Sequence, residues 1–139
     1  MLPLPAPGGA GRQVFTPVTA SALRAMLVRV VEEGATRRWK PRGWSVGGKT
    51  GTAEDESRGK VPVASYWCFG PAHDARFLVL VVLYHPRHGR FAADNAARVG
   101  GPLLGRLLER FEVPRDRPEE LLGGPGSPVV ASRPVGEDG

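Results

Sequence analysis

Phe77–Tyr84 (FLVLVVLY) is the longest apolar run in the chain, and it narrows what can be built around it. Eight residues is the length of a strand and far short of the roughly 20 that a helix needs to cross a bilayer. Its β-branched and aromatic content suits extended backbone. Because it does not alternate with polar residues, it is expected to be a central strand covered on both faces. A second strand is expected at Val63–Phe69 (VASYWCF), joined to a strand over Arg76–Tyr84 by the hairpin-type connection Gly70–Ala75. A third candidate, Trp44–Ala53, is short and Gly-rich, with the charged turn Asp55–Lys60 after it. Connections this short imply antiparallel pairing.

Helices flank this block on both sides. Thr16 and Pro17 have the form of an N-cap and a first helical position. Leu23, Met26, Leu27, Val30 and Val31 then follow the spacing of one apolar helical face, and Gly34 stands where a C-terminal Gly stops a helix. A helix over Pro17–Glu33 is expected. Ala92–Phe111 reads as a second, with Leu103, Leu104, Leu107, Leu108 and Phe111 as its apolar stripe. Gly100-Gly101-Pro102 should bend or restart it. The order helix, three adjacent strands, helix predicts an α+β fold with helices packed on an antiparallel sheet.

The 139 residues suffice for one modest domain. The 19 Gly and 14 Pro concentrate at the ends. Residues 1–11 and 114–139 read as flexible tails, leaving 12–113 as the folded part. The formal net charge of +5 comes from Arg scattered among acids. The one dense run, Arg37-Arg38-Trp39-Lys40-Pro41-Arg42, reads as a solvated loop rather than a nucleic-acid stripe. A single cysteine, Cys68, allows no intrachain disulfide. His85 and His88 are spaced H-x-x-H without a further ligand nearby, so they read as turn residues, and no metal or cofactor is expected. Trp39 and Trp44 are expected to pack under a loop, Tyr66 to be structural, and Arg24, Arg29, Arg106 and Arg110 to line solvated helix faces.

Gly43–Thr50 also spells G-x-x-x-x-G-K-T, the form of a phosphate-binding P-loop. That loop needs a buried strand entering its first Gly and a helix leaving its Lys-Thr. Here Thr36–Arg42 is charged and broken by Pro41, and Gly51–Gly59 has no apolar periodicity and carries acids at Glu54–Glu56. No nucleotide is expected. The same residues read as a K-T-G-T strand fit their surroundings. Such a strand can pair its backbone with an extended peptide. Lys49 supplies a cation for an anionic substrate and for proton relay. Thr50 and Thr52 lie two apart and share a strand face, so their hydroxyls can hold a carboxylate. Gly51 lets another backbone approach, and Gly47 and Gly48 leave the strand entrance uncluttered.

Val46-Gly-Gly-Lys-Thr-Gly-Thr-Ala-Glu54 resembles the V-A-G-K-T-G-T-A segment of penicillin-binding protein transpeptidase domains. Val30-Val-Glu-Glu-Gly34 resembles the helix end before that strand. Ala64-Ser-Tyr-Trp-Cys-Phe-Gly-Pro-Ala-His-Asp-Ala-Arg-Phe77 resembles the family's strand-turn-strand, with Cys68 in place of a small Gly, and its A-S-[FY] form is similar to class B. The resemblance runs over Phe15–Val113. It implies part of a β-lactamase-like fold, a sheet acting on the D-Ala-D-Ala end of peptidoglycan stem peptides, and binding of β-lactam antibiotics through their carboxylate. It implies Lys49, Thr50, Gly51 and Thr52 as site residues, with Lys49 also catalytic. The parent enzyme would work on the extracytoplasmic side of the inner membrane.

The family reacts through a serine in S-x-x-K with an S-x-N, both ahead of K-T-G in the chain. Ser57-x-x-Lys60 has the first spelling but follows K-T-G in a charged turn. Asn95, the only Asn, has Ala93 two positions before it. The expectation is therefore the C-terminal part of a transpeptidase domain without its nucleophile, inactive alone. It could be a fragment, a split-gene half docking with the chain that carries the N-terminal half, or a non-catalytic interaction module.

Overall fold

The computed structural model describes residues 13–55, 59, 61–87 and 91–122. Ser57, Lys60, His88 and both far ends lie outside them. Helix α1 (Pro17–Glu33) leads through a short 3-10 turn (Ala35–Trp39) into strand β1 (Gly47–Asp55). Strands β2 (Val61–Gly70) and β3 (Phe77–Tyr84) follow, then α2 (Ala96–Arg110) and the single turn α3 (Glu119–Leu122). The sheet is antiparallel, in the order β1-β2-β3. Helix α2 lies against β2 and β3 and α1 against β1, as the element order predicts.

Helix α1 has the expected bounds. The Thr16 side chain accepts a bond from the Thr19 amide at 3.2 Å, and Pro17 opens the first turn. Gly34 ends it with extended backbone (φ −95°, ψ 178°), not in the left-handed form usual for a terminal Gly. A Cβ there would stand 2.3 Å from the Val30 carbonyl oxygen, which is why no larger residue fits. The predicted apolar stripe is mostly uncovered: Val31 is buried, whereas Met26 is 62% exposed.

The core lies between the helices and one sheet face. Ala64, Tyr66 and Cys68 of β2 and Val79 of β3 meet Val31, Val46, Ala96, Ala97, Leu104 and Leu108. Within α2, Gly100, Gly101 and Pro102 do not restart the helix, which runs through them. The glycines are its close-packing face. A Cβ on Gly100 would come 2.9 Å from the Tyr66 ring, and one on Gly101 2.0 Å from the Trp39 carbonyl oxygen. Of the predicted leucine stripe, Leu104 and Leu108 are buried, while Leu103 and Phe111 face outward.

Strand β3 is not the central strand that its uniform hydrophobicity predicts. Among the described residues it stands at an edge of the sheet, and β2 is central. Val79, Val81 and Leu83 face the helices, but Leu78 (66% exposed), Leu80 (60%) and Tyr84 (66%) point to the open face. An all-apolar strand records that both faces call for burial. It does not say that this stretch of chain covers both.

The basic run before β1 is solvated, with Arg37, Arg38 and Arg42 exposed, but several of its residues also have specific partners. Arg38 pairs with Asp94, and Trp39 Nε1 donates to the Ala93 carbonyl at 2.8 Å. Lys40 pairs with Glu120 at 2.6 Å. Within the expected tail, residues 114–122 turn back onto the root of β1, and the rest of it lies outside the described residues.

Candidate functional site

The K-T-G-T residues lie in β1, whose outer edge has no partner strand among the described residues. Lys49 stands opposite Trp67, Thr50 opposite Tyr66, Gly51 opposite Ser65 and Thr52 opposite Ala64. Facing residues of an antiparallel pair share a sheet face. Thr50 and Thr52 are therefore on the helix side, as their spacing predicts, and Lys49 and Gly51 are on the open face. Lys49 is exposed, and its Nζ donates to the Thr50 carbonyl at 2.8 Å. Because Lys49 and Thr50 sit inside a strand, the helix start that a P-loop requires is not there.

The glycines have reasons within the sheet that the sequence does not reveal. A Cβ on Gly47 would run into the Phe69 ring at 2.4 Å, and one on Gly48 would meet the Trp67 carbonyl oxygen at 2.6 Å. They do not leave the strand entrance open, as expected; Phe69 and β2 fill the space. A Cβ on Gly51 would stand 2.5 Å from Ser65 Oγ, which donates to the Gly51 carbonyl at 3.4 Å.

Two further groups behind the strand are structural. Tyr66 and Cys68 are buried, and burial pushes the phenol and the thiol up, the thiol to about 12. The Cys68 Sγ–H points at the Gly100 carbonyl at 3.7 Å. A thiol so high holds almost no thiolate at neutral pH, so Cys68 is a packing residue and not a nucleophile.

The root of β1 carries a polar cluster that sequence reading missed. The Asp116 carboxylate accepts from the Ser45 amide at 2.8 Å, from the Ser45 hydroxyl and from His73 Nδ1 at 3.1 Å. Ser45 Oγ in turn accepts from the Ala72 amide at 2.9 Å. Partial burial works to raise the Asp116 pKa, but the bonds from the Ser45 hydroxyl, the Ser45 amide, its own amide and His73 outweigh it and hold the carboxyl below its ordinary value. Nearby, Trp44 is buried and its Nε1 donates to the Val113 and Pro114 carbonyls at 3.2 and 3.1 Å. Asp116 stands in the Pro-rich stretch P-R-D-R-P, which has no periodicity, so only the folded chain reveals its partners.

The sequence profile of the penicillin binding protein transpeptidase domain matches residues 6–105. Stage V sporulation protein D of Bacillus subtilis is 32% identical over 103 residues, 71% of this chain and 16% of that protein. The probable peptidoglycan D,D-transpeptidase PenA of Neisseria gonorrhoeae is 30% identical over 114 residues, 78% of this chain and 20% of its own length. Among solved structures, the transpeptidase domain of Burkholderia pseudomallei penicillin-binding protein 3 is 31% identical with a TM-score of 0.66, covering 76% of this chain and 34% of that one. The chain belongs to the penicillin-binding protein transpeptidase domain family, in class B. It spans a fifth or less of these two curated relatives and about a third of the solved domain.

Proposed function

We propose that β1 is the substrate strand of a peptidoglycan D,D-transpeptidase domain, and that it binds the D-Ala-D-Ala end of a stem peptide or the carboxylate of a β-lactam. The observation that carries this reading is the position of K-T-G-T on a sheet edge that has no partner strand among the described residues, with Lys49 exposed on it. Every second amide and carbonyl of an edge strand points outward, and an extended peptide adds there as a further strand. Thr50 and Thr52 donate hydroxyl bonds to the terminal carboxylate from one side of that edge. Lys49 contributes its charge from the other side, drawing the anion in and supporting proton relay to the reacting group.

The family's acyl transfer needs an attacking serine, and no S-x-x-K precedes K-T-G in this sequence. Ser57 follows the strand and does not fill that role. This chain holds substrate, and the nucleophile comes from outside it. The face that bears Leu78, Leu80 and Tyr84, shared with Lys49 and uncovered among the described residues, favours a second reading, in which the chain docks with the part of the domain carrying the serine. The parent enzyme works at the extracytoplasmic face of the inner membrane. No helix among the described residues is long and apolar enough to cross a membrane.

An amide-resolved NMR titration with an N-acyl-D-alanyl-D-alanine peptide tests the proposal. Saturable shifts are expected at Lys49–Thr52, absent with the L-alanyl-L-alanine peptide. Equal response to both peptides, or shifts confined to other elements, would overturn it.

A further inference from the structure

Residues 113–122 turn back from the end of α2 and grip both sides of the chain just before β1. On one side, the Glu120 carboxylate takes Lys40 Nζ at 2.6 Å and the Gly43 amide at 3.1 Å, and the Arg117 amide donates to the Gly43 carbonyl at 3.0 Å. Between them, Arg115 lies over the Trp44 ring at 4.6 Å. On the other side, Asp116 takes the Ser45 amide and hydroxyl and His73. The Ala72 amide bonds both the carbonyl and the hydroxyl of Ser45, at 3.0 and 2.9 Å. Ser45 thus ties three segments at one point: the approach to β1, the β2–β3 connection and the segment after α2.

This fastening matters because the outer edge of β1 has no partner strand among the described residues. Such a strand is held in direction by β2, by α1 packed against it and by whatever fixes its entry. Ser45 stands two residues before the first residue of β1, and Lys49 four residues after it. Charge-assisted bonds to backbone amides are directional and stronger than neutral ones, so a carboxylate with three donors suits the task.

We propose that residues 113–122 form a clasp that sets the trajectory of the K-T-G-T strand, with Asp116 as its positioning residue. Asp116 touches no substrate and acts through Ser45. Its role in substrate binding rests on the function proposed above, whereas its role in holding the strand does not.

Hydrogen exchange on the full chain separates positioning from general stability, because local opening and global unfolding have different free energies. In Asp116→Ala, exchange at 45–50 should rise about tenfold or more, the size expected from losing a charged hydrogen bond, while β3 and α2 amides stay unchanged. Affinity for N-acyl-D-alanyl-D-alanine should fall with it. Asp116→Asn, which keeps one acceptor oxygen, should give an intermediate rise. If Asp116→Ala does not fold, Ser45→Ala reads the same contact from the other side. A uniform rise across all elements would reduce Asp116 to a general stabilising residue and overturn the proposal, as would no change at 45–50. If the wild-type chain does not bind the peptide, the substrate-strand reading fails while the exchange pattern still decides the clasp.

Discussion

Gly51→Ala adds one methyl group at a point where two explanations of the glycine predict different behaviour. The new Cβ would stand 2.5 Å from Ser65 Oγ, against 3.4–4 Å for ordinary contact, so Ser65 must rotate or β1 must move by about an ångström. Replacing a strand-interior Gly stabilises by roughly 0.5–1 kcal/mol, while forcing a side chain into occupied space costs about 1–3 kcal/mol. The clash wins, and the single variant should lose on the order of 1 kcal/mol, measured by urea unfolding. Removing the hydroxyl as well leaves Ser65 Cβ at 3.9 Å, an ordinary contact. Gly51→Ala/Ser65→Ala should therefore recover wild-type stability or better, a coupling of about 1–2 kcal/mol. If Gly51 also admits the substrate backbone, the double variant stays at least tenfold weaker for the D-alanyl-D-alanine peptide although it is stable. Wild-type affinity in the double variant would show that Gly51 serves only the sheet. Equal stability of the single and double variants would refute the clash itself.

Other substitutions probe the frame that holds the site. Leu104→Ala empties a fully buried position and should cost about 3–5 kcal/mol by denaturant titration. Gly101→Ala should destabilise even though Ala favours a helix by about 1 kcal/mol over Gly, because its Cβ would lie 2.0 Å from the Trp39 carbonyl oxygen; a raised midpoint would contradict that packing. Cys68 should resist a thiol reagent in the native chain and react once unfolded. Its folded pKa is raised from 9.0 to about 12, so the native state keeps its proton longer and stability should fall as pH rises through that window. Asp116 has the opposite sign. Its folded pKa is lowered, so its contribution is present at neutral pH and is lost on acidification through that depressed value, and Asp116→Ala should flatten the acid limb of the stability curve.

The sequence made legible those features that local chemistry encodes. Thr16-Pro17 marked the start of α1, the two hairpin connections marked antiparallel pairing, and the spacing of Thr50 and Thr52 put them on one face. Burial was less legible. Phe77–Tyr84 looked central because all its residues are apolar, yet its position in the sheet depends on which strands flank it, and a single strand's composition does not encode that. Gly100-Gly101-Pro102 read as a point where the helix bends or restarts, yet the helix continues and its glycines serve close approach to Tyr66 and Trp39. The clasp was unreadable for a similar reason. Asp116 and Glu120 acquire meaning only through partners some 40 to 80 positions earlier, including His73, Ser45 and Lys40.

A fluorescent penicillin, followed on the full chain before and after denaturation, tests most directly the claim that this chain holds substrate without attacking it. Saturable binding to the native chain is predicted, weakened at least tenfold in Lys49→Ala and released completely on denaturation. Label that survives denaturation would place a nucleophile in this chain and contradict the account. So would binding indifferent to Lys49.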